Sequence, residues 1–158
     1  MRSRIIITLT CLLFLLSLTS CSQTQMPTYQ EKAIETNHVW KGNTLATYNV
    51  TYPVFEEPIY SDLNAVIQRE VKSWSSLYSE ICSQAELDCQ TDMNLVSFGR
   101  YVRSQYEVSN TDEELSVCFT VEWIADLGNY EPSYTKTFTL DRKANMIYET
   151  YTTSKRVY

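Results

Sequence analysis

The chain has 158 residues and a formal net charge of −6, with 44% apolar and 20% charged residues. This is one domain's worth of chain, long enough to bury a core without metal or several disulfides. Its balance excludes a disordered acidic tail and argues against non-specific nucleic-acid binding. Three glycines and four prolines exclude collagen-like, linker-like and phosphate-loop architectures, while tyrosine is over-represented at 12 residues.

Met1-Arg2-Ser3-Arg4 gives a short positive start, and Ile5 to Leu18 is an apolar run broken by Thr8, Thr10, Cys11 and Ser17. The run is shorter than the roughly 20 residues a membrane-spanning helix needs. It reads as the apolar centre of an export signal covering residues 1–20. Leu18-Thr19-Ser20-Cys21 then resembles a bacterial lipobox. That resemblance implies cleavage before Cys21 and a diacylglycerol thioether on its sulfur, with the membrane as a partner through the lipid. Two or three acyl chains anchor stably where one would not. Losing Arg2 and Arg4 with the signal moves the net charge from −6 to −8. Ser22, not Asp, follows the cysteine, a pattern that resembles outer-membrane sorting facing the periplasm in a Gram-negative host. In a Gram-positive host it implies the outer leaflet of the plasma membrane.

Residues 21–38 are polar, lack periodicity and read as the lipidated cysteine and a tether, with a single domain over 39–158. From Leu45 to Val54 the alternation of Ala46, Tyr48, Val50, Tyr52 and Val54 with Thr47, Asn49 and Thr51 predicts a strand. The period then changes. Leu63, Val66, Ile67, Val71, Trp74, Leu77, Tyr78 and Ile81 make one stripe, predicting a helix from 62 to about 80. Asp62 stands where the helix dipole favours an anion. Cys82 to Asn94 reads as a polar connection. Strands are predicted over 97–108, over 115–125 with Leu115, Val117, Phe119, Val121 and Trp123 on one face, over 134–140 and from 146 through 151. Adjacent hairpins after one helix predict an α+β domain: an antiparallel sheet of four to five strands with one long amphipathic helix on one face.

Tyr52-Pro53-Val54-Phe55, Leu63-Asn64-Ala65-Val66-Ile67 and Tyr134-Thr135-Lys136-Thr137-Phe138-Thr139-Leu140-Asp141 occur in an order that resembles a known family. It is the extracytoplasmic domain shared by RsiV-type anti-sigma factors and the N-terminal part of PdaC-type deacetylases. The resemblance spans roughly residues 45–150. Family members commonly have a Gly-Gly-Ala-His-like loop, where this chain has Asp126-Leu127-Gly128-Asn129-Tyr130-Glu131-Pro132 without a histidine. What the resemblance implies is an envelope recognition module, with a lysozyme-like protein or peptidoglycan as ligand. With only Met1 to Arg4 before the apolar run to hold a sigma factor and no deacetylase domain in the sequence, neither sigma-factor inhibition nor deacetylation is carried over.

After Cys11 and Cys21, three cysteines remain. An oxidising envelope favours one disulfide among them. Cys82–Cys89 is the nearest pair, with Cys82–Cys118, Cys89–Cys118 and free thiols as alternatives. On an unbroken helix Cys82 and Cys89 would stand about 10.5 Å apart along the axis, too far to bond. That disulfide thus requires the helix to end near Cys82. His38 is the lone histidine and reads as a solvated tether residue, which leaves no nucleophile–base pair and no metal or cofactor site. Glu56-Glu57 and Glu113-Glu114 read as solvated turn charges. Trp74 and Trp123 fall on apolar faces and read as core. Tyr130 and Tyr134, with Glu131 and Asp126, form the candidate ligand-binding patch. The expectation is a non-enzymatic, lipid-anchored binder of an envelope ligand, with an envelope assembly factor docking on another periplasmic protein as the alternative.

Overall fold

The structure, a computed structural model, describes residues 25–125 and 130–157. Its elements are β1 (Tyr29–Trp40), β2 (Asn43–Phe55), α1 (Ser61–Thr91), β3 (Arg100–Asn110), β4 (Glu114–Ile124), β5 (Tyr130–Asp141) and β6 (Met146–Val157). The six strands form one sheet in chain order, and α1 packs on one face of it. The α+β expectation holds, with six strands in place of four to five.

The additional strand, β1, occupies most of the stretch read as a tether. It pairs antiparallel with β2 from Tyr29↔Phe55 to Trp40↔Asn43. Lys41 and Gly42 join the two strands, with φ of 48° and 82°. A two-residue hairpin turn of this hand needs positive φ at both central residues, which glycine supplies without steric cost. The pairing shifts register between His38 and Val39, so that His38 faces Ala46 and Val39 faces Thr44. Leu45 is the residue left over, and the bulge lets it and its neighbour Ala46 both turn inward, at 0% and 1% exposure.

β2 and β3 run parallel, paired from Ala46↔Arg100 to Val50↔Ser104. The sheet is therefore mostly, not wholly, antiparallel. α1 is the crossover that makes this possible, because a parallel pair needs a connection long enough to return the chain to the same end. The other neighbouring pairs are antiparallel. In the β5–β6 turn the Asp141 carboxylate accepts from the amides of Lys143 and Ala144, both at 2.8 Å, and Asn145 takes φ 52°.

The helix does not stop near residue 80. It runs to Thr91 because its buried stripe continues: Ile81, Cys82, Ala85 and Cys89 follow at helical spacing and are buried. Ala85 and Cys89 meet Leu45 in a second apolar cluster covered by Trp40, Leu95 and Val96. Beyond it Asp88 reaches Arg100. Asp92 then closes the end, accepting from the Asn94 amide at 2.9 Å. The expected Cys82–Cys89 disulfide is consequently not formed. Both thiols are buried and free, seven residues apart on one helix.

The main core lies between α1 and the sheet. Leu63, Ile67, Val71 and Trp74 of α1 meet Tyr48, Val50, Val102, Leu115, Val117, Phe119, Val121 and Phe138. Phe119 is central, with ring centroids 5.2 Å from Trp74 and 6.2 Å from Phe138. Each such side chain contributes about 1.5–3 kcal/mol by leaving water. Trp123 is half-buried against this cluster. Asn64 fastens the start of α1 to β2. Its side chain accepts from the Phe55 amide at 3.0 Å and donates to the Phe55 carbonyl at 2.9 Å.

Candidate functional site

α1 carries polar residues on both flanks of its buried stripe, and the sheet treats the two flanks differently. On the side toward β5 and β6, Glu70 and Trp74 meet Tyr134 and Lys136. The alternation of β5 turns these two inward with Phe138 and Leu140. Glu70 Oε1 accepts from the Tyr134 hydroxyl at 2.8 Å and from Trp74 Nε1 at 3.3 Å. Trp74 Nε1 also donates to the Tyr134 oxygen. Glu70 Oε2 receives Lys136 Nζ at 2.7 Å, and Glu149 of β6 approaches the same ammonium at 3.2 Å. The Lys136 and Glu70 side chains are 17% and 14% exposed, so this is a largely dry network with its charges matched.

The electrostatics follow from that enclosure. Burial pushes the Tyr134 phenol well above its ordinary range, and the Glu70 carboxylate adds to the shift. Burial works against the Lys136 ammonium, but Glu70 and Glu149 outweigh it and leave its pKa raised. A neutral phenol and a held ammonium bind structure together. Neither is poised to move a proton near neutral pH.

A second buried cation secures the far end of α1. Arg100 is 1% exposed. It donates through Nη2 to Asp88 Oδ2 at 2.6 Å and through Nε to the Ala125 carbonyl at 3.1 Å. Gln84 donates to the other oxygen of Asp88 at 2.7 Å.

On the opposite flank, between α1 and the β1–β2 hairpin, lies an open groove of about 420 Å³. Gln68, Lys72 and Ser75, at helical spacings of four and three, form one wall; Ile34 and Thr36 of β1 form the other. The floor is Tyr48, Tyr52, Val71 and Tyr78. Two of its hydroxyls are engaged from within. Tyr48 donates to the Val71 carbonyl and Tyr78 to the Ala46 carbonyl, both at 3.3 Å. Burial pushes the Tyr48 phenol up to about 12 and raises Tyr78 as well. These rings are fixed and apolar toward the groove.

Of the residues singled out in the sequence, Cys21 and Asp126 lie outside the described residues. Tyr130 and Glu131 open β5, opposite Val157 and Arg156, and their side chains also lie outside what is described. Tyr134 sits in the closed network, its ring meeting Trp123 edge-on with centroids 5.9 Å apart and Tyr151 at a tilt with centroids 5.0 Å apart. His38 belongs to β1, not to a tether. Its Nε2 lies 2.8 Å from Glu86 Oε1 of α1, close enough for an ion pair when protonated but without hydrogen-bond alignment. Glu56 accepts from Gln30 at 3.2 Å and Glu57 from the Thr28 amide at 3.3 Å, so this carboxylate pair helps hold the entry to β1. Glu113 pairs with Lys143 across neighbouring turns.

The groove escaped sequence reasoning because half of its walls belong to β1. The available signal was the Lys41-Gly42 pair, which marks a hairpin and brings Ile34 and Thr36 beside Tyr48. Among the described residues no group of three or more His, Cys, Asp or Glu is placed to hold a metal ion. No described helix is long and apolar enough to cross a membrane. No family model matches the chain, and no curated protein matches it either.

Proposed function

We propose that this chain is a lipid-anchored, non-enzymatic envelope lipoprotein whose α+β domain binds peptidoglycan. The observation that carries the reading is the open groove between α1 and the β1–β2 hairpin. Its aromatic floor is held rigid from inside, and its polar walls face outward. Concave sites of this kind, apolar below with a few polar groups at the rim, suit a small or narrow polymeric ligand better than a broad protein face. The lipobox at Leu18–Cys21 supplies the address. Lipidation at Cys21 would hold the domain at the membrane, facing the periplasm on the outer membrane of a Gram-negative host. Residues 21–28 would then be the stretch between the lipid and β1.

A lysozyme-like protein is the second reading, favoured by the acidic balance of 19 Asp and Glu against 13 Lys and Arg, which complements a basic partner. Co-sedimentation of the full-length lipoprotein with purified peptidoglycan sacculi, beside an assay of lysozyme inhibition, separates the two. Peptidoglycan binding predicts saturable co-sedimentation and no effect on lysozyme with a soluble substrate. Lysozyme inhibition without co-sedimentation would reverse the choice. Neither signal would remove both readings and favour an assembly factor docking on another periplasmic protein.

A further inference from the structure

The groove also has a charge pattern. Among the described side chains each basic residue but one has a partner: Lys32 with Gln30, Lys41 over Trp40, Arg69 with Glu149, Arg100 with Asp88, Arg103 with Glu122, Lys136 with Glu70, Arg142 with the Thr111 carbonyl and Lys143 with Glu113. The exception is Lys72, exposed in the middle of the groove wall, in a chain where acidic residues outnumber basic ones. Its wall neighbours Gln68 and Ser75 are neutral, and so is Thr36 across the groove. An excess of carboxylates elsewhere has not supplied one here.

We propose that the groove is an anion-specific subsite: Lys72 Nζ receives a free carboxylate of a peptidoglycan stem peptide, while the adjoining sugar or peptide lies over Tyr52, Val71 and Ile34. The proposal rests on the peptidoglycan reading and adds which end of the ligand is read. The chemistry selects for three things at once. The Tyr floor offers apolar and π surface whose hydroxyls at Tyr48 and Tyr78 are already spent. Gln68, Ser75 and Thr36 supply neutral hydrogen-bonding groups along the walls. Lys72 supplies one positive charge, and ammonium–carboxylate hydrogen bonds are among the stronger kind. Gln68 to Ser75 spans about 10 Å of helix, so the site suits a short glycopeptide and not a long glycan.

The test is a titration of the full-length lipoprotein in detergent with a soluble disaccharide–peptide released from peptidoglycan, with the same compound amidated at its carboxylates, and with a neutral chitin oligosaccharide. The wild type should bind the free acid about tenfold more tightly than either compound lacking a carboxylate, and the preference should shrink as salt is raised. Lys72→Gln should remove the preference and Lys72→Arg should keep it. Lys143→Gln, remote from the groove, should leave it unchanged. Thermal melts within a degree or two of wild type would show that the variants are folded. Equal affinity for acid and amide, or an undiminished preference in Lys72→Gln, overturns the carboxylate subsite. The peptidoglycan reading then still stands if sacculi co-sediment. Failure of sacculi and glycopeptide alike overturns both.

Discussion

The two flanks of α1 are built from the same two turns of helix and end in opposite states. Toward β5 and β6, Glu70 and Trp74 find Tyr134, Lys136 and Glu149, and each strong donor or acceptor in the cluster has a partner. Toward β1 and β2, Gln68, Lys72 and Ser75 face a groove floored by three tyrosines, of which Tyr48 and Tyr78 turn their hydroxyls inward to backbone carbonyls. The difference comes from the strands opposite. β5 places a tyrosine and a lysine beside the helix. β1 places Ile34 and Thr36, too short to close the space. A closed polar network positions elements, whereas an open one leaves its groups for something else.

Truncating the closed flank should have the largest effect. Trp74 is fully buried, touches Phe119 and donates to Glu70. Trp74→Ala should cost about 3–5 kcal/mol, read as a fall in the denaturant midpoint. A cost below about 1 kcal/mol would mean that this flank is not part of the core, and the contrast between flanks would collapse.

How much of this was legible follows the same division. β4 was readable because one face is buried without interruption from Leu115 to Val121 and the other is not. The first half of α1 was readable because its stripe is apolar. The second half was obscured by Ser83, Gln84, Glu86 and Asp88 on its surface, although Ala85 and Cys89 continue the stripe. β1 gave no periodic signal because it is an edge strand, exposed along nearly its whole length; its order comes from pairing with β2. Tyr134 was legible as a special residue but not as a structural one. Its carboxylate partner, Glu70, lies 64 positions away, and only the packing of α1 on β5 brings the two together.

Removing one charge from the closed network should have a smaller effect than removing its tryptophan. Glu70→Gln keeps an oxygen for Tyr134 and Trp74 but leaves Lys136 with Glu149 alone. The expected cost is about 1–3 kcal/mol. In a double-mutant cycle Tyr134→Phe should cost less in the Glu70→Gln background than in wild type. Strict additivity would show that the two side chains are not coupled.

Alkaline pH probes both flanks together. Tyr48 titrates near 10 when unfolded and is pushed up to about 12 by burial, with Tyr52 adding to it. Tyr78 and Tyr134 shift in the same direction, also mainly through burial. A raised folded pKa contributes stability that is complete below the unfolded value and is lost as pH climbs toward the folded one. Lys136 follows the same sign. The denaturant midpoint should therefore hold the full contribution of these groups, with no pH dependence from them, near neutrality and should fall between about pH 10 and pH 12. Tyr48→Phe should reduce the slope there, and an unchanged slope would remove Tyr48 from the account.

The smallest effect sharpens the contrast most. Lys72 is exposed and has no partner to lose among the described residues, and lysine and glutamine have similar helix propensities. Lys72→Gln should therefore change stability by no more than about 0.5 kcal/mol, measured by the same denaturation that registers Trp74→Ala and Glu70→Gln. The two flanks would then separate cleanly, with large costs where the groups are satisfied within the chain and almost none where they face the groove. A loss above about 1 kcal/mol would place Lys72 among the groups that hold α1 to the β1–β2 hairpin. The groove wall would then be scaffold, and its unpaired charge could no longer be read as a place kept for a ligand.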